Sequence, residues 1–296
     1  MNWKAIARSA EGTSHNKQDM PCQDYGYFKT IGDAIVGVVA DGAGSAKHSD
    51  IGAKLAVETV LESITERHVS EITNLCRDES NSNTQKLNHP IRRFYNSLKN
   101  KDKQSNAKTA STLSPNKTKL EKLFIKIVEQ VVITLKKEAA TKKYSVDDLA
   151  CTLLVVIATP DGIAAMQIGD GFITVRYPDS PFQLLFEPDK GEYINETTFV
   201  TSTNALEDMN VVVQAERPEF ICASTDGLER LAIRFSDWTP HAPFFKPLED
   251  YLRETENLES DKYLDDFLNS EKLNARTDDD KTLFLCLYDR SDSPQQ

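Results

Sequence analysis

The chain has 296 residues, enough for one large domain or two medium ones, and 39% are apolar, enough to bury a real core. A formal net charge of −11 argues against nucleic acid as a partner of the protein as a whole, because phosphate binding needs a basic surface. Five cysteines (22, 76, 151, 222 and 286) form no Cys-x-x-Cys, and Cys151, Cys222 and Cys286 lie in apolar runs, as free thiols do in a reducing cytoplasm. Met1 to Gly12 lacks the apolar segment of a secretory signal. The longest nearly apolar run, Leu149 to Ala158, has ten residues, well short of a membrane span. A soluble, cytoplasmic protein with no membrane partner is expected.

Trp3 to Arg8 reads as a first strand, followed by a polar loop from Gly12 through His15 and Lys17 to Gln23-Asp24. Tyr25–Phe28 and Ala34–Ala40 read as paired strands around a turn at Gly32-Asp33. Beyond Gly44, Ala53, Ala56/Val57, Val60/Leu61 and Ile64 repeat every three to four residues, predicting a helix that ends near His68. From about Arg77 to Lys122 the composition turns basic, with eleven Lys and Arg against four Asp and Glu. This segment reads as a solvated insertion at about 77–119, its alternative being a basic arm for an acidic partner. Within it, Ile91, Phe94/Tyr95 and Leu98 fit a short amphipathic helix, and Gln104 to Lys119 has the composition of a flexible linker. Leu120 to Leu135 carries the clearest helical spacing in the chain.

Strands follow at Cys151–Ala158, Ala164–Ile168, Phe172–Arg176, Val211–Val213 and Phe220–Ser224. A helix is expected from Gly227 onward, a Pro- and aromatic-rich loop over Trp238–Pro247, an acidic helical region over Leu248–Leu268, and a last strand over Thr282–Leu287. No internal repeat occurs. Long helices separating groups of antiparallel strands indicate a single α+β domain.

Two strands run into the same chemistry. Ala34 to Ala40 ends in Asp41-Gly42 and Phe220 to Thr225 ends in Asp226-Gly227, each followed by helical rather than strand spacing. Asp-Gly between strands favours a hairpin turn, but here both carboxylates project from sheet ends. A third acidic group, Asp278-Asp279-Asp280, immediately precedes the last strand. If these groups converge, repulsion costs about 1 kcal/mol per pair at ~4 Å in water and about 4 kcal/mol near a protein surface. Divalent cations are the usual remedy, and an all-oxygen donor set suits Mg²⁺ or Mn²⁺.

In order and spacing, Gln23-Asp24, Asp41-Gly42-Ala43-Gly44, Gly169-Asp170, Thr225-Asp226-Gly227 and Asp279-Asp280-Lys281-Thr282 resemble the bacterial type of the metal-dependent protein phosphatase 2C family. The resemblance runs from about residue 3 to 288. It implies an α-β-β-α sandwich, two antiparallel sheets flanked by helices, with metals at one edge. It also implies hydrolysis of phosphoserine and phosphothreonine by a water activated between two Mn²⁺ or Mg²⁺ ions. Asp41 would bridge the ions with the Gly42 carbonyl on one, Asp226 and Asp279 would hold the other, and Asp24 would act through bound waters. Asp170 with Asp226 matches a third, weaker metal site, its plain alternative being a hairpin-turn residue. Which of Asp278, Asp279 and Asp280 is the ligand stays open. The partner implied is a phosphorylated protein, counterpart of a serine/threonine kinase.

The chain also departs from the pattern. Ala43 stands where many relatives carry His, with His48 as one substitute, and Gln23 stands where Glu is common. The family's phosphate-binding Arg is replaced by His15, with Lys17 as a second candidate. These losses leave a second reading, a catalytically silent module that binds phosphoproteins or regulates a kinase. Other phosphatase chemistries fail on spacing: Cys222 is followed six residues later by Leu228, not by the Arg of a cysteine phosphatase, and Gly42 to Lys47 lacks the phosphate-loop spacing.

Overall fold

A computed structural model describes residues 3–17, 20–82, 115–186 and 197–289. The expected helix at Ile91–Leu98, and most of the basic insertion with its linker, lie outside the described residues. Of the segment assigned to that insertion, 77–82 finish one helix and 115–119 begin the next.

Twelve strands appear among the described residues. They are β1 (Trp3–Ala10), β2 (Tyr25–Ile31), β3 (Ala34–Ala40), β4 (Leu153–Thr159), β5 (Gly162–Ile168), β6 (Phe172–Arg176), β7 (Phe182–Leu184), β8 (Asn210–Gln214), β9 (Phe220–Ser224), β10 (Ile233–Arg234), β11 (Thr239–Pro240) and β12 (Lys281–Tyr288). Helices are α1 (Thr13–Asn16), α2 (Ser49–Ser63), α3 (Glu66–Ser82), α4 (Pro115–Lys142), α5 (Glu229–Ala232), α6 (Ala242–Glu254), α7 (Tyr263–Leu268) and α8 (Glu271–Asn274). One five-stranded sheet has the order β1-β12-β9-β6-β7 and the other β2-β3-β4-β5-β8, and every pairing in both is antiparallel.

The side-chain period of two divides each central strand between two cores. On β3, Ile35 and Val39 face the other sheet with Leu154, Val156, Ile221 and Phe284, while Val36 and Val38 face Ala53, Val57, Phe124 and Val128 of α2 and α4. On the far side, Ile6, Phe220 and Leu285 pack against Phe245, Leu248 and Leu264 of α6 and α7. The layers are therefore α-β-β-α. Gly37 has a packing reason: a Cβ there would overlap the ring of Phe284. Among the described residues no helix is long and apolar enough to cross a membrane.

Three expectations need correction. The helix after Gly44 does not run to His68, because Ile64 is extended (φ −81°, ψ 122°) and buried, and the Thr65 N–H donates to His68 Nδ1 to restart the chain as α3. The helix after Gly227 is only a 3₁₀ turn (Asp226–Leu228) plus α5, because Ile233 pairs with Pro240. The stretch assigned to a Pro-rich loop instead opens α6: Pro243 sits in its first turn, where a missing N–H costs little. The same helix tolerates Pro247 while Phe245, Leu248 and Leu252 bury its apolar face.

Candidate active site

Strand register gathers the acids at one end of the sandwich. Tyr25 opposite Ala40 brings Gln23-Asp24 beside Asp41. Ser224 opposite both Leu283 and Phe172 brings Asp226 beside the acidic triplet and the Gly169–Gly171 turn. A cavity of about 190 Å³ opens there, lined by Asp41, Asp170, Asp226, Asp279 and Asp280 together with His15 and Gly42.

The Asp41-Gly42 backbone is pinned on two sides. Asp41 N–H donates to Thr152 Oγ1 at 3.0 Å, Thr152 N–H donates to the Asp41 carbonyl at 2.8 Å, and Gly42 N–H donates to the Gln23 carbonyl at 3.1 Å. A Cβ on Gly42 would stand 2.7 Å from both the Gln23 carbonyl and Ser49 Cβ, so glycine is required for this approach. Asp24 lies behind the cavity, 4% exposed; its Oδ2 accepts from Thr225 Oγ1 at 2.7 Å, and its Oδ1 has no partner. Thr225 in turn accepts from Thr282 N–H, so one hydroxyl ties the second Asp-Gly strand to the last strand and to Asp24. Gly227 lies so close to the Asp280 carbonyl that no side chain fits.

The acidic triplet splits into three roles. Asp278 uses its carbonyl to hold Ser14. Asp280 is buried and accepts from Gly12 N–H (2.6 Å) and Gln23 N–H (2.5 Å), and it pairs with His15 Nδ1 at 2.9 Å. Asp279 alone of the three presents its carboxylate to the cavity without being consumed by the loop, taking only the neighbouring Asp280 N–H. Asp170, on the rim, accepts from Thr197 Oγ1 at 2.5 Å.

Burial first, and the charges of acidic neighbours second, hold these carboxylates above their ordinary range. Burial pushes Asp24 and Asp41 well up, Asp24 despite its bond from Thr225, and the charges of their acidic neighbours add to both. Asp226 rises to about 6, mainly through burial and then the charge of Asp170, and it shares a hydrogen bond with Asp41. Glu229, one turn further on, rises to about 7 by burial and by Asp226. Asp279 is raised by burial first, against the bond from Asp280 N–H. Among the described residues no three His, Cys, Asp or Glu side chains close on a single point. The donor set is instead an open ring of carboxylates with one orphaned, buried oxygen. That chemistry fits hard cations that keep several waters of their own.

Of the residues expected at the site, Asp41, Gly42, Asp170, Asp226, Asp279 and His15 line the cavity, and Asp24 backs it. Lys17 does not: it is exposed and outside the lining. His48 stacks on Tyr144 at 3.7 Å and also stays outside. Thr152, Thr225 and Asp280 are further parts of the site whose bracing roles the motif spacing does not mark. Thr225 was visible in the Thr-Asp-Gly fragment, but Thr152 lies in an apolar run and is marked only by strand register.

The Protein phosphatase 2C family profile matches residues 11–269 of the chain. The Serine/threonine-protein phosphatase 3 of Escherichia coli (strain K12) is 31% identical over 97% of this chain and 99% of its own length. Among solved structures, the S. agalactiae serine/threonine phosphatase superposes with a TM-score of 0.56 at 13% identity, over 97% of this chain and all of that one. The catalytic domain of the serine threonine protein phosphatase PstP, in complex with two manganese ions, superposes at 0.53 and 13% identity, over 96% and 97% of the two chains. With the sandwich, the two Asp-Gly strand ends and a profile match over most of its length, the chain belongs to the protein phosphatase 2C family.

Proposed function

We propose that the chain hydrolyses phosphoserine and phosphothreonine in proteins by direct attack of water, using Mn²⁺ or Mg²⁺. The carrying observation is that Asp41, Asp170, Asp226 and Asp279, from four separate parts of the chain, line one cavity. A scaffold gains nothing from holding such acids together. The name of the Escherichia coli relative supports the substrate class, and the two manganese ions named for the PstP catalytic domain support the ion count.

In this reading Asp41, the Gly42 carbonyl, Asp226 and Asp279 would hold the ions. Asp24 would contribute from behind the cavity, and Asp170 with Asp226 would hold a further, weaker-bound ion. When bound, the ions supply an activated water and offset charge on the phosphoryl oxygens. The chain's own residues orient these groups. Thr152 and Gln23 fix the Asp41-Gly42 backbone, and Thr225 aims Asp24. His15 is tethered by Asp280 at Nδ1, which leaves Nε2 to bind the phosphoryl group. Lys17, exposed and outside the cavity lining, is not part of this phosphate site. We assign the chain as one catalytic domain, with its insertion between α3 and α4, acting in the cytoplasm opposite a serine/threonine kinase.

One observation favours the silent binding module: Ala43 puts a methyl group, not a proton donor, in the cavity lining. Hydrolysis of 4-nitrophenyl phosphate and of a phosphothreonine peptide with Mn²⁺ separates the readings. Activity lost in excess EDTA and in Asp41→Asn is the expected result. Full turnover under either condition overturns the metal assignment, and a wild-type protein silent on all substrates leaves the binding module.

A further inference from the structure

A second cavity, about 660 Å³, lies under α5, α6 and α8 and is larger than the one that holds the carboxylates. Its size falls in the range of built ligand sites, roughly 300–1,000 Å³. The floor is apolar: Ile233, Leu248 and Leu273 are buried, and Phe244 and Phe267 half-buried. Around it stand Arg230, Arg234, His241, Lys272 and Arg276, with no Asp or Glu in the lining. In a chain of net charge −11 this is an inversion of the prevailing sign. Arg234 is occupied by Asp237 and Thr239. Among the described residues the side chains of Arg230, Lys272 and Arg276 make no hydrogen bond or ion pair, although the charge of Arg230 acts on the neighbouring Glu229.

The groove and the carboxylate cavity share no lining residue, but short lengths of chain join them. Arg230 follows Asp226 by one helical turn, about 6–8 Å along the axis. Arg276 precedes Asp279 by three residues, at most about 11 Å of extended chain. Separations of this size equal about three or four residues of an extended peptide.

We propose that this groove docks an acidic segment of the phosphoprotein substrate, with an aliphatic or aromatic side chain on the floor and carboxylates on Arg230, Lys272 and Arg276. The proposal rests on the phosphatase reading for the identity of its occupant, but its test does not need turnover. A fluorescein-labelled peptide of alternating glutamate and leucine, carrying no phosphate, is titrated into the full-length protein and followed by anisotropy. We expect saturable binding that weakens with added salt and about tenfold in Lys272→Glu/Arg276→Glu. In parallel, kcat/KM on a phosphothreonine peptide with an acidic tail should fall about tenfold through KM, while 4-nitrophenyl phosphate hydrolysis stays unchanged. No peptide binding, or binding indifferent to the double substitution, overturns the proposal. So does an equal loss on neutral-tailed and acidic-tailed substrates. If the acidic peptide binds as expected but no phosphate ester is hydrolysed, docking stands and the catalytic reading falls.

Discussion

Two buried carboxylates in different parts of the sandwich show how differently the fold treats charge. Glu249, on α6, is 2% exposed and accepts from Arg176 and Arg253, while Arg176 also reaches Glu219. Burial works against its charge, yet the arginine bonds outweigh it and hold the carboxyl below its ordinary range. Asp24 is 4% exposed and receives one threonine hydroxyl, an orphaned oxygen and the charges of more acids. Burial then wins, and the carboxyl is driven up. The difference separates a charge that holds the fold from one that awaits a partner the protein does not itself supply.

Substitution should break this contrast most sharply at the carboxylates. Asp41→Asn is expected to lower Mn²⁺-supported turnover by about a thousandfold or more. The same change removes one of the repelling acids, so the metal-free protein should melt higher and gain less from added Mn²⁺. A metal-free Tm below wild type would contradict the repulsion. At the paired site the opposite holds. Arg176→Ala leaves Glu249 buried without its bidentate partner and should cost about 3 kcal/mol, a Tm drop on the order of 6–10 °C, with kcat per folded molecule unchanged.

The pH response sharpens the comparison further. Asp226 and Glu229 have folded values of about 6 and about 7, above their ordinary 3.8 and 4.5. Between those limits the folded state holds more protons than the unfolded one, so metal-free stability falls as pH rises from about 4 to about 7. Saturating Mn²⁺ should flatten that slope, which thermal melts in EDTA and in Mn²⁺ would compare directly. Glu249 has the opposite sign: its contribution is lost as pH falls through its depressed folded value. The smallest effect is expected at the loop. His15→Ala should raise KM for aryl phosphate about tenfold, whereas Lys17→Ala should leave it within error.

What was legible in the sequence follows from local physics. Asp41-Gly42 and Asp226-Gly227 could be placed because strand spacing changes to helical spacing across each pair, a signal contained within a dozen residues. The all-buried strands β3, β4 and β5 were readable for the same reason. Pairing partners are a different matter. Thr152 supports Asp41 from 111 residues away, and Asp280 braces Gly12 and Gln23 from 268 and 257 residues away. Nothing near those positions announces them. The α6 boundary is obscured in the sequence because Pro243 and Pro247 signal a break, while the spacing of Phe245, Leu248 and Leu252 prevails in the fold.

The placement of β12 has a consequence for biosynthesis. This strand fills the gap between β1 and β9, and the turn leading into it supplies Asp279 and the clamp on His15. Translation delivers those groups after every other described strand. A growing polypeptide on the ribosome thus holds its earlier carboxylates idle, and competence arrives in a single late event. Any message truncated ahead of residue 279 should yield a product without turnover, however much of the remaining sandwich it manages to assemble.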